Sequence, residues 1–262
     1  MQLIDTHTHL YAEVFEEDQQ LVVEQAIAAG VAHFFIPAID SAYIERMYAL
    51  EAAYPKSIHL MAGLHPTHVK ENAAEELAKV AEQLKVRNFC AIGEIGIDLY
   101  WDKQFIKEQQ AAFNQQIKWA KQYALPIVIH CREAFDEVFE ILEAHKAEDL
   151  YGIFHCFTGT LKQAKQVINL NFKLGIGGVV TFKNGKVDQF LHEIPIEAIV
   201  LETDAPYLAP APYRGKRNES KYLTLIAEKV AQCYGITVKD VANKTSNNAI
   251  KVFKNQKIDF KK

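Results

Sequence analysis

The chain has 262 residues, of which 49% are hydrophobic, 24% charged and 11% aromatic. This ordinary globular mixture excludes collagen-like, low-complexity and intrinsically disordered proteins. Lys and Arg total 29 against 33 for Asp and Glu, so the net charge is −4 and the chain as a whole is not a polycation. A nucleic-acid partner would therefore need a local basic patch.

The sequence also indicates a compartment. No run approaches the roughly 18 consecutive apolar residues that a membrane span needs, and MQLIDTHTHL lacks the basic start of a signal peptide. The cysteines (Cys90, Cys131, Cys156 and Cys233) stand far apart, whereas disulfide frameworks are typical of small secreted domains. We therefore expect free thiols, a cytoplasmic protein and no membrane segment.

Short apolar runs, rich in β-branched and aromatic residues, predict strands at 2–7, 33–38, 58–63, 89–94, 126–131, 152–157, 172–177 and 198–203. Near-continuous apolar character is typical of parallel strands that are buried on both faces. Eight such runs in 262 residues give roughly one βα unit per 33 residues. The spacing predicts an α/β fold, a (β/α)₈ TIM barrel. A doubly wound open sheet is the alternative, because the number of strands does not show closure.

Amphipathic stretches between these runs predict helices, among them 17–29, 104–123 and 133–146. No linker divides the chain, so we expect a single domain over residues 1–262. Two further helices, at about 219–234 and 246–254, follow the last strand. They are expected to pack outside the barrel or to cover one of its ends.

Six imidazole and carboxylate side chains fall at the carboxyl ends of predicted strands: His7, His9, Glu94, His130, His155 and Asp204. In a barrel these ends open onto one face, where active sites of this fold lie. Imidazoles and carboxylates together are a ligand set for divalent metals such as Mg²⁺, Mn²⁺ or Zn²⁺. Six ligands are too many for one open site and suit two ions that share a bridging carboxylate.

Other histidines and cysteines have a structural interpretation. A single histidine is more often a hydrogen-bonded structural residue than a ligand, and we assign that role to His33, His59, His145 and His192. Cys131 and Cys156 directly follow His130 and His155, so strand alternation predicts that both thiols face away from the ligands.

Seven stretches of the sequence match a known family. The matching stretches are IDTHTHL at 4–10, GLHP at 63–66, AIGEIGIDLYW at 91–101, LPIVIHCREA at 125–134, HCFTG at 155–159, GIGGVVTFKN at 175–184 and LETDAPYLAP at 201–210. In this order they resemble the TatD family of metal-dependent deoxyribonucleases, within the amidohydrolase superfamily of barrels. The resemblance implies a Mg²⁺-dependent nuclease.

The resemblance also implies roles for the ligand set. His7, His9 and Asp204 resemble the ligands of a first metal, His130 and His155 those of a second, and Glu94 the bridging carboxylate. The chain departs from the family at Ser220, where proline is common, and at GKVDQFL, where the family often has an arginine. Both departures concern substrate contacts only.

The expected chemistry is hydrolysis of DNA by a metal-activated water, with Asp204 accepting its proton. His65 is a candidate to bind the substrate or leaving group, and Arg132, Arg214 and Arg217 are candidates to bind phosphates. Loops 64–70, 95–104 and 205–219 should wall the pocket and admit a single-stranded DNA end, with 3′-to-5′ polarity suggested by the family alone.

Two other functions stay open at this point. The metal set is equally compatible with hydrolysis of a small amide, ester or lactone. A non-catalytic nucleic-acid or metal-binding protein is the third hypothesis, which the net charge of −4 disfavours. The oligomeric state is open, with a monomer expected.

Overall fold

Strands and helices alternate along residues 2–101, 103–147 and 149–254, which the computed structural model describes. Residues 255–262, which the predicted domain includes, lie outside this range. The strands are β1 (Leu3–Asp5), β2 (Val31–Ile36), β3 (Ile58–Leu60), β4 (Ile92–Asp98), β5 (Ile127–Arg132), β6 (Gly152–Phe154), β7 (Phe172–Ile176) and β8 (Ile199–Leu201). Each predicted strand is therefore present, although β4 extends four residues beyond its predicted end.

The helices occupy the segments between and after these strands. They are α1 (Gln19–Ala28), α2 (Ile44–Ala53), α3 (Ala73–Val86), α4 (Ile106–Tyr123), α5 (Phe135–Ala144), α6 (Leu161–Asn169), α7 (Val187–Phe190), α8 (Leu223–Tyr234) and α9 (Val238–Val252). The three helices predicted between strands agree with α1, α4 and α5 to within two residues. None of the helices in the described ranges is long and apolar enough to cross a membrane.

The strands close into a barrel. They pair in parallel and in chain order, as β1-β2-β3 and as β4 through β8. Backbone hydrogen bonds also join these sheets: for example, the Gly93 amide donates to the Ala62 carbonyl at 2.9 Å, and the Thr6 amide donates to the Leu201 carbonyl at 3.1 Å. Because β8 thus meets β1, the (β/α)₈ barrel is confirmed and the open sheet is wrong.

Alternate strand residues build two apolar layers, as the two-residue period of a strand requires. One layer lies between strands and helices and contains Phe34 and Phe113, for example. The other fills the barrel with Ile4, Phe35, Met61, Ala91, Val128, Ile153 and Val200, all almost completely buried. The interior is therefore packed with side chains and offers no channel.

The two C-terminal helices pack differently. Helix α8 lies outside the barrel, where Ile226 and Val230 join the outer layer. The end of α9 instead enters the inner layer, and the Phe253 ring stacks on Phe35 with centroids 3.8 Å apart. Ser246 on α9 donates to the Gln2 carbonyl just before β1, so this helix covers the amino-terminal end of the strands. The tail therefore lies outside the barrel at α8 and over one end of the barrel at α9.

Candidate metal centre

The predicted ligands converge at the carboxyl end of the barrel. His7 and His9 follow β1, Glu94 and His130 lie within β4 and β5, and His155 and Asp204 follow β6 and β8. All except His7 line one cavity of about 640 Å³. Each of the predicted segments 64–70, 95–104 and 205–219 contributes residues to the cavity wall. These residues are His65, Thr67, His68, Asp98, Trp101, Tyr207 and Leu208.

Glu94 occupies the centre, and its two oxygens face different imidazoles. Oε2 lies 3.0 Å from Nε2 of His7 and 3.6 Å from Nε2 of His9. Oε1 lies 2.8 Å from Nδ1 of His130 and 2.8 Å from Nε2 of His155. The carboxylate therefore divides the histidines into two sets, one at each oxygen.

The donor atoms fit divalent cations. Three groups each bring their ligand atoms within 4.8 Å of one another: His7, His9 and Glu94; His7, His155 and Asp204; and His65, Glu94 and His130. Each group mixes imidazole nitrogen with carboxylate oxygen, a combination that suits Zn²⁺, Mn²⁺ or Mg²⁺. His65 thus lies closer to the ligand set than its predicted role as a substrate contact implies.

The carboxylates of this centre are ionised. Burial raises the pKa of Glu94, but the neighbouring His155, His65 and His7 outweigh it, and the pKa lies well below 4.5. Burial likewise raises the pKa of Asp204, whereas the nearby imidazoles of His9, His155 and His7 lower it below 3.8. Two anionic carboxylates in a buried pocket are an environment that attracts cations.

The imidazoles divide into two classes. Burial lowers the pKa of His7 and brings that of His65 to about 4, so both rings are neutral and able to ligate a metal at pH 7. Burial also disfavours charge on His130 and His155, but adjacent carboxylates outweigh it and raise both pKa values. A metal ion would have to displace the protons of these two rings.

Two further carboxylates lie beside this second pair, one hydrogen-bonded to His130 and one within ion-pair distance of His155. Asp98 Oδ2 lies 2.8 Å from Nε2 of His130, and Glu202 Oε1 lies 3.3 Å from Nδ1 of His155. We call Asp98 and Glu202 the outer carboxylates. Such partners fix the orientation of a ligating ring and raise its basicity. Gly175 leaves room for Glu202, because a Cβ there would come within 2.2 Å of Glu202 Oε2.

The tautomer of His9 follows from its neighbour. The Tyr11 hydroxyl donates its proton to the Pro37 carbonyl at 2.8 Å, so it can only accept from Nδ1 of His9, 3.0 Å away. A neutral His9 therefore carries its proton on Nδ1 and has a lone pair on Nε2, beside Glu94 and Asp204, that could bind a cation.

Asp5 connects the ends of β1 and β8 beneath these ligands. Its carboxylate accepts from the Thr203 amide at 2.9 Å and from the Thr203 hydroxyl at 2.6 Å. Burial raises the pKa of Asp5 to about 7 despite these bonds. Beside them, Asp204 adopts the left-handed region with φ of 58°, a conformation that aspartate tolerates better than most residues.

Comparison with known proteins agrees with this geometry. Residues 4–254 match the family model described as TatD related DNase. The chain belongs to this TatD family. A Bacillus subtilis relative, an uncharacterized metal-dependent hydrolase named YabD, is 39% identical over 96% of this chain and 99% of its own length.

Solved structures support the same assignment. YjjV, a TatD homologue from Escherichia coli, superimposes with a TM-score of 0.90 at 28% identity, over 96% of this chain and 98% of that chain. A TatD-family hydrolase from Entamoeba histolytica has the same fold, with a TM-score of 0.83 at 22% identity over 96% and 98% of the two chains. The chain is therefore a metal-dependent hydrolase of the TatD family with candidate metal-binding groups.

The arginines suggested as phosphate contacts of this TatD-family chain lie in different surroundings. Arg132 lines the cavity. Arg217 instead donates two hydrogen bonds to Asp18, at 2.9 and 2.6 Å, and a third to Glu219 at 3.1 Å. Arg214 lies over the Phe182 ring, 4.4 Å from its centroid. Phosphate binding by Arg214 and Arg217 stays a prediction, and the structure neutralises Arg217 within the protein.

Cys131 packs against the outer layer, as strand alternation predicts, although it also borders the cavity. Cys156 differs from its predicted orientation, because it lines the cavity. Cys156 follows the end of β6 and has φ of 45°, so regular strand alternation does not continue to it. Burial raises the pKa of both thiols, which disfavours thiolate ligands. His33 and His59, set aside as structural, contact each other at 3.1 Å, away from the cavity.

Sequence reasoning missed Asp98, Glu202 and Tyr11. Asp98 is the last residue of β4, so a longer predicted strand would have placed a carboxylate at its end. Glu202 lies two residues before Asp204, but no spacing in the sequence connects it with His155. Tyr11 carries no signal, because its contact with His9 depends on the turn after β1.

Proposed function

We propose that the chain is a deoxyribonuclease that hydrolyses phosphodiester bonds at single-stranded DNA ends, with two divalent cations held on either side of Glu94. The observation that carries this proposal is the division of the Glu94 oxygens between two sets of imidazoles. A carboxylate with a separate set of imidazoles at each oxygen could bridge two cations.

Residues of each set have distinct tasks. His7, His9 and Asp204 would hold one ion, and His130 and His155 the other, with His65 beside the second set. Bound there, the cations would activate a water and offset the negative charge that develops on a phosphoryl oxygen. The outer carboxylates keep His130 and His155 in place.

Asp204 is the group that accepts a proton. It lines the cavity, and its lowered pKa keeps the carboxylate ionised at neutral pH. Oδ1 lies 3.5 Å from Nε2 of His9. An anionic oxygen beside the ligand set can take up the proton that an attacking water releases.

The cavity walls favour a single strand. A volume of about 640 Å³ lies in the roughly 300–1,000 Å³ range of small-ligand pockets. The βα loops surround the ligand set, and the packed barrel interior closes the floor. A strand end can descend between these loops, whereas a duplex is too wide. Arg132 supplies a guanidinium in the wall for a phosphate oxygen.

Hydrolysis of a small amide, ester or lactone is the second candidate. The observation that favours it is the pairing of Arg217 with Asp18 and Glu219. Among the described residues that line the cavity, Arg132 is the one lysine or arginine. A neutral substrate would not require more positive charge.

The proposal is tested with purified protein, stripped of metal and reloaded with Mg²⁺, Mn²⁺ or Zn²⁺. Its substrates are end-labelled linear single-stranded DNA and a closed circle of the same sequence, with Asp204→Asn as the inactive control. We expect stepwise release of mononucleotides from the linear strand and a large loss of rate on the circle.

The outcomes are distinct. Cleavage of the circle as fast as of the linear strand would overturn the exonuclease mode and retain the nuclease. Hydrolysis of a small ester or lactone, with no DNA cleaved under any metal, would replace the proposal by its alternative.

A further inference from the structure

Exposed aromatic side chains concentrate at the mouth of the cavity. Among the described residues, Tyr100, Trp101 and Tyr207 are the aromatic side chains with large exposed fractions, of 50%, 67% and 53%. All three lie on loops that surround the ligand set, and Trp101 and Tyr207 line the cavity itself. Large exposed aromatic groups gathered at one site indicate a binding surface.

Trp101 and Tyr100 form one side of this mouth together with Arg132. The two rings meet edge to face, with centroids 4.9 Å apart at 88°. The Arg132 guanidinium covers the Tyr100 ring at 3.9 Å and lies 5.3 Å from the Trp101 centroid. Arg132 makes no ion pair with any residue in the described ranges, so its charge is available to a ligand. We call these three residues the aromatic platform.

Hydrogen bonds connect the aromatic platform to the ligand set. Asp98 Oδ1 accepts from the backbone amides of Tyr100 and Trp101, at 2.9 and 3.0 Å. The other oxygen of Asp98 contacts Nε2 of His130 at 2.8 Å. One carboxylate therefore fixes both the loop and a predicted metal ligand, which sets the distance between the platform and the reacting bond.

Tyr207 lies on another side of the mouth. Its ring stands 5.8 Å from His9, at 73° to the imidazole. It follows Asp204 by three residues, and its amide donates to the Asp204 carbonyl at 2.8 Å. Aromatic groups thus border the cavity near both sets of ligands.

We propose that Trp101 stacks on a nucleobase of the DNA strand whose end enters the cavity, with Arg132 taking a phosphate of the same strand. This inference rests on the proposed function. Flat aromatic faces bind bases of any sequence, because every base has a π-face. A cation beside an aromatic ring is the combination with which proteins hold single strands. The substrate class is therefore a base-bearing strand, without sequence preference.

Fluorescence tests the contact directly, because the chain has two tryptophans. Trp119 lies partly buried on α4 against the outer layer. In Trp119→Phe, Trp101 is therefore the remaining tryptophan, and Trp101→Phe is the matched variant that retains Trp119. Metal-loaded proteins are mixed with oligothymidylate in a stopped-flow instrument, and also with an abasic oligonucleotide of equal length.

We expect quenching of Trp101 by oligothymidylate, little by the abasic strand, and none in Trp101→Phe. In the kinetic arm, Trp101→Ala should raise KM for oligothymidylate about tenfold to a hundredfold. It should leave KM for the abasic strand unchanged, and Trp101→Phe should restore most of the loss. Val86→Ala, at a 70% exposed position on α3, is the control for loss of a surface apolar group.

Equal quenching by both strands, or unchanged KM in Trp101→Ala, would overturn base stacking even where the protein cleaves DNA. Quenching by base-bearing strands without cleavage under any metal would uphold the platform and refute the nuclease. Absence of any fluorescence change with either strand would refute the platform.

Discussion

At the residue scale, the outer carboxylates are the least expected feature of the centre. Asp98 contacts His130, and Glu202 contacts His155, so each ring of this pair lies between Glu94 and a second carboxylate. An imidazole in this position is more basic and better oriented as a ligand. The charge of Asp98 therefore matters for metal binding, while its Oδ1 also anchors the loop that carries Trp101.

Asp98→Asn separates these two tasks, because an amide oxygen can still accept from the Tyr100 and Trp101 amides. We expect a loss of about 10- to 100-fold in metal affinity, with the loop in place. Metal titration measures the first effect, and Trp101 fluorescence reports the second. Glu143→Gln, at an exposed position on α5, is the control. Unchanged affinity in Asp98→Asn would show that the carboxylate serves the loop alone.

Asp5 predicts a pH dependence of stability. Its pKa is about 7 in the folded protein against an ordinary value of 3.8 for aspartate, so the folded state keeps a proton that the unfolded state loses. The contribution of Asp5 to the free energy of unfolding therefore falls as pH rises from about 4 to about 7, by at most about 4 kcal/mol. Above pH 7 this contribution is constant.

Chemical denaturation of metal-free protein at pH 5, 6 and 7.5 checks this sign. Asp5→Asn should lose more stability relative to wild type at pH 5 than at pH 7.5, because only the ionisable side chain gains from the low pH. A difference between the two proteins that is the same at every pH would refute the raised pKa.

At the scale of elements, the loop after β8 and the end of β5 make different contributions. Arg217 joins this loop to Asp18 before α1, while Arg132 ends β5 at the cavity. Arg132→Ala should raise KM for normal and abasic strands alike and flatten the salt dependence, since fewer counterions are released on binding. Arg217→Ala should instead lower the free energy of unfolding by about 1 kcal/mol.

KM as a function of salt, measured beside urea denaturation, distinguishes these arginines. A flattened salt dependence in Arg217→Ala, with its stability unchanged, would restore the phosphate contact predicted from the sequence. It would also show that the ion pair with Asp18 opens in solution.

Helix α9 makes a second prediction at this scale. Phe253 is completely buried and stacks on Phe35 inside the barrel. Phe253→Ala should therefore cost about 3–5 kcal/mol of unfolding free energy, measured by urea denaturation, and Phe253→Leu distinctly less. A loss below about 1 kcal/mol in Phe253→Ala would mean that α9 does not close the barrel in solution.

The start of α9 shows where sequence reasoning reaches its limit. The eight strands were predictable because each is a buried apolar run, but α9 begins at Val238 rather than at 246. Its first half is polar, and Asn248 is buried by donating to the carbonyls of Ile196 and Ile199. Those partners are about 50 residues away, so the local sequence does not explain why this asparagine is buried.

The ligand set, in contrast, was predictable from the positions of its residues along the chain. His7, His9, His130, His155 and Asp204 stand at or just beyond strand ends, and parallel strands bring such ends together whatever their separation in sequence. The direction of the Cys156 side chain was not predictable, because it depends on a left-handed backbone conformation after β6. The same limit applies to Glu202, whose partner is set by the pairing of the barrel.

At the scale of the whole molecule, the closed barrel brings two sets of imidazoles to the two oxygens of Glu94. Such a centre links metal binding to folding, because a cation that binds only the folded chain stabilises it. Protons on His130 and His155 must leave as the metal binds, so metal affinity should rise with pH.

The most direct test is the metal stoichiometry of wild type and Glu94→Ala, measured by isothermal titration and elemental analysis after gel filtration. We expect two ions per chain in wild type, and weakened binding of both in Glu94→Ala, because one carboxylate serves both sets. Two ions bound with wild-type affinity in Glu94→Ala, or a single ion at saturation in wild type, would contradict the bridging role of Glu94.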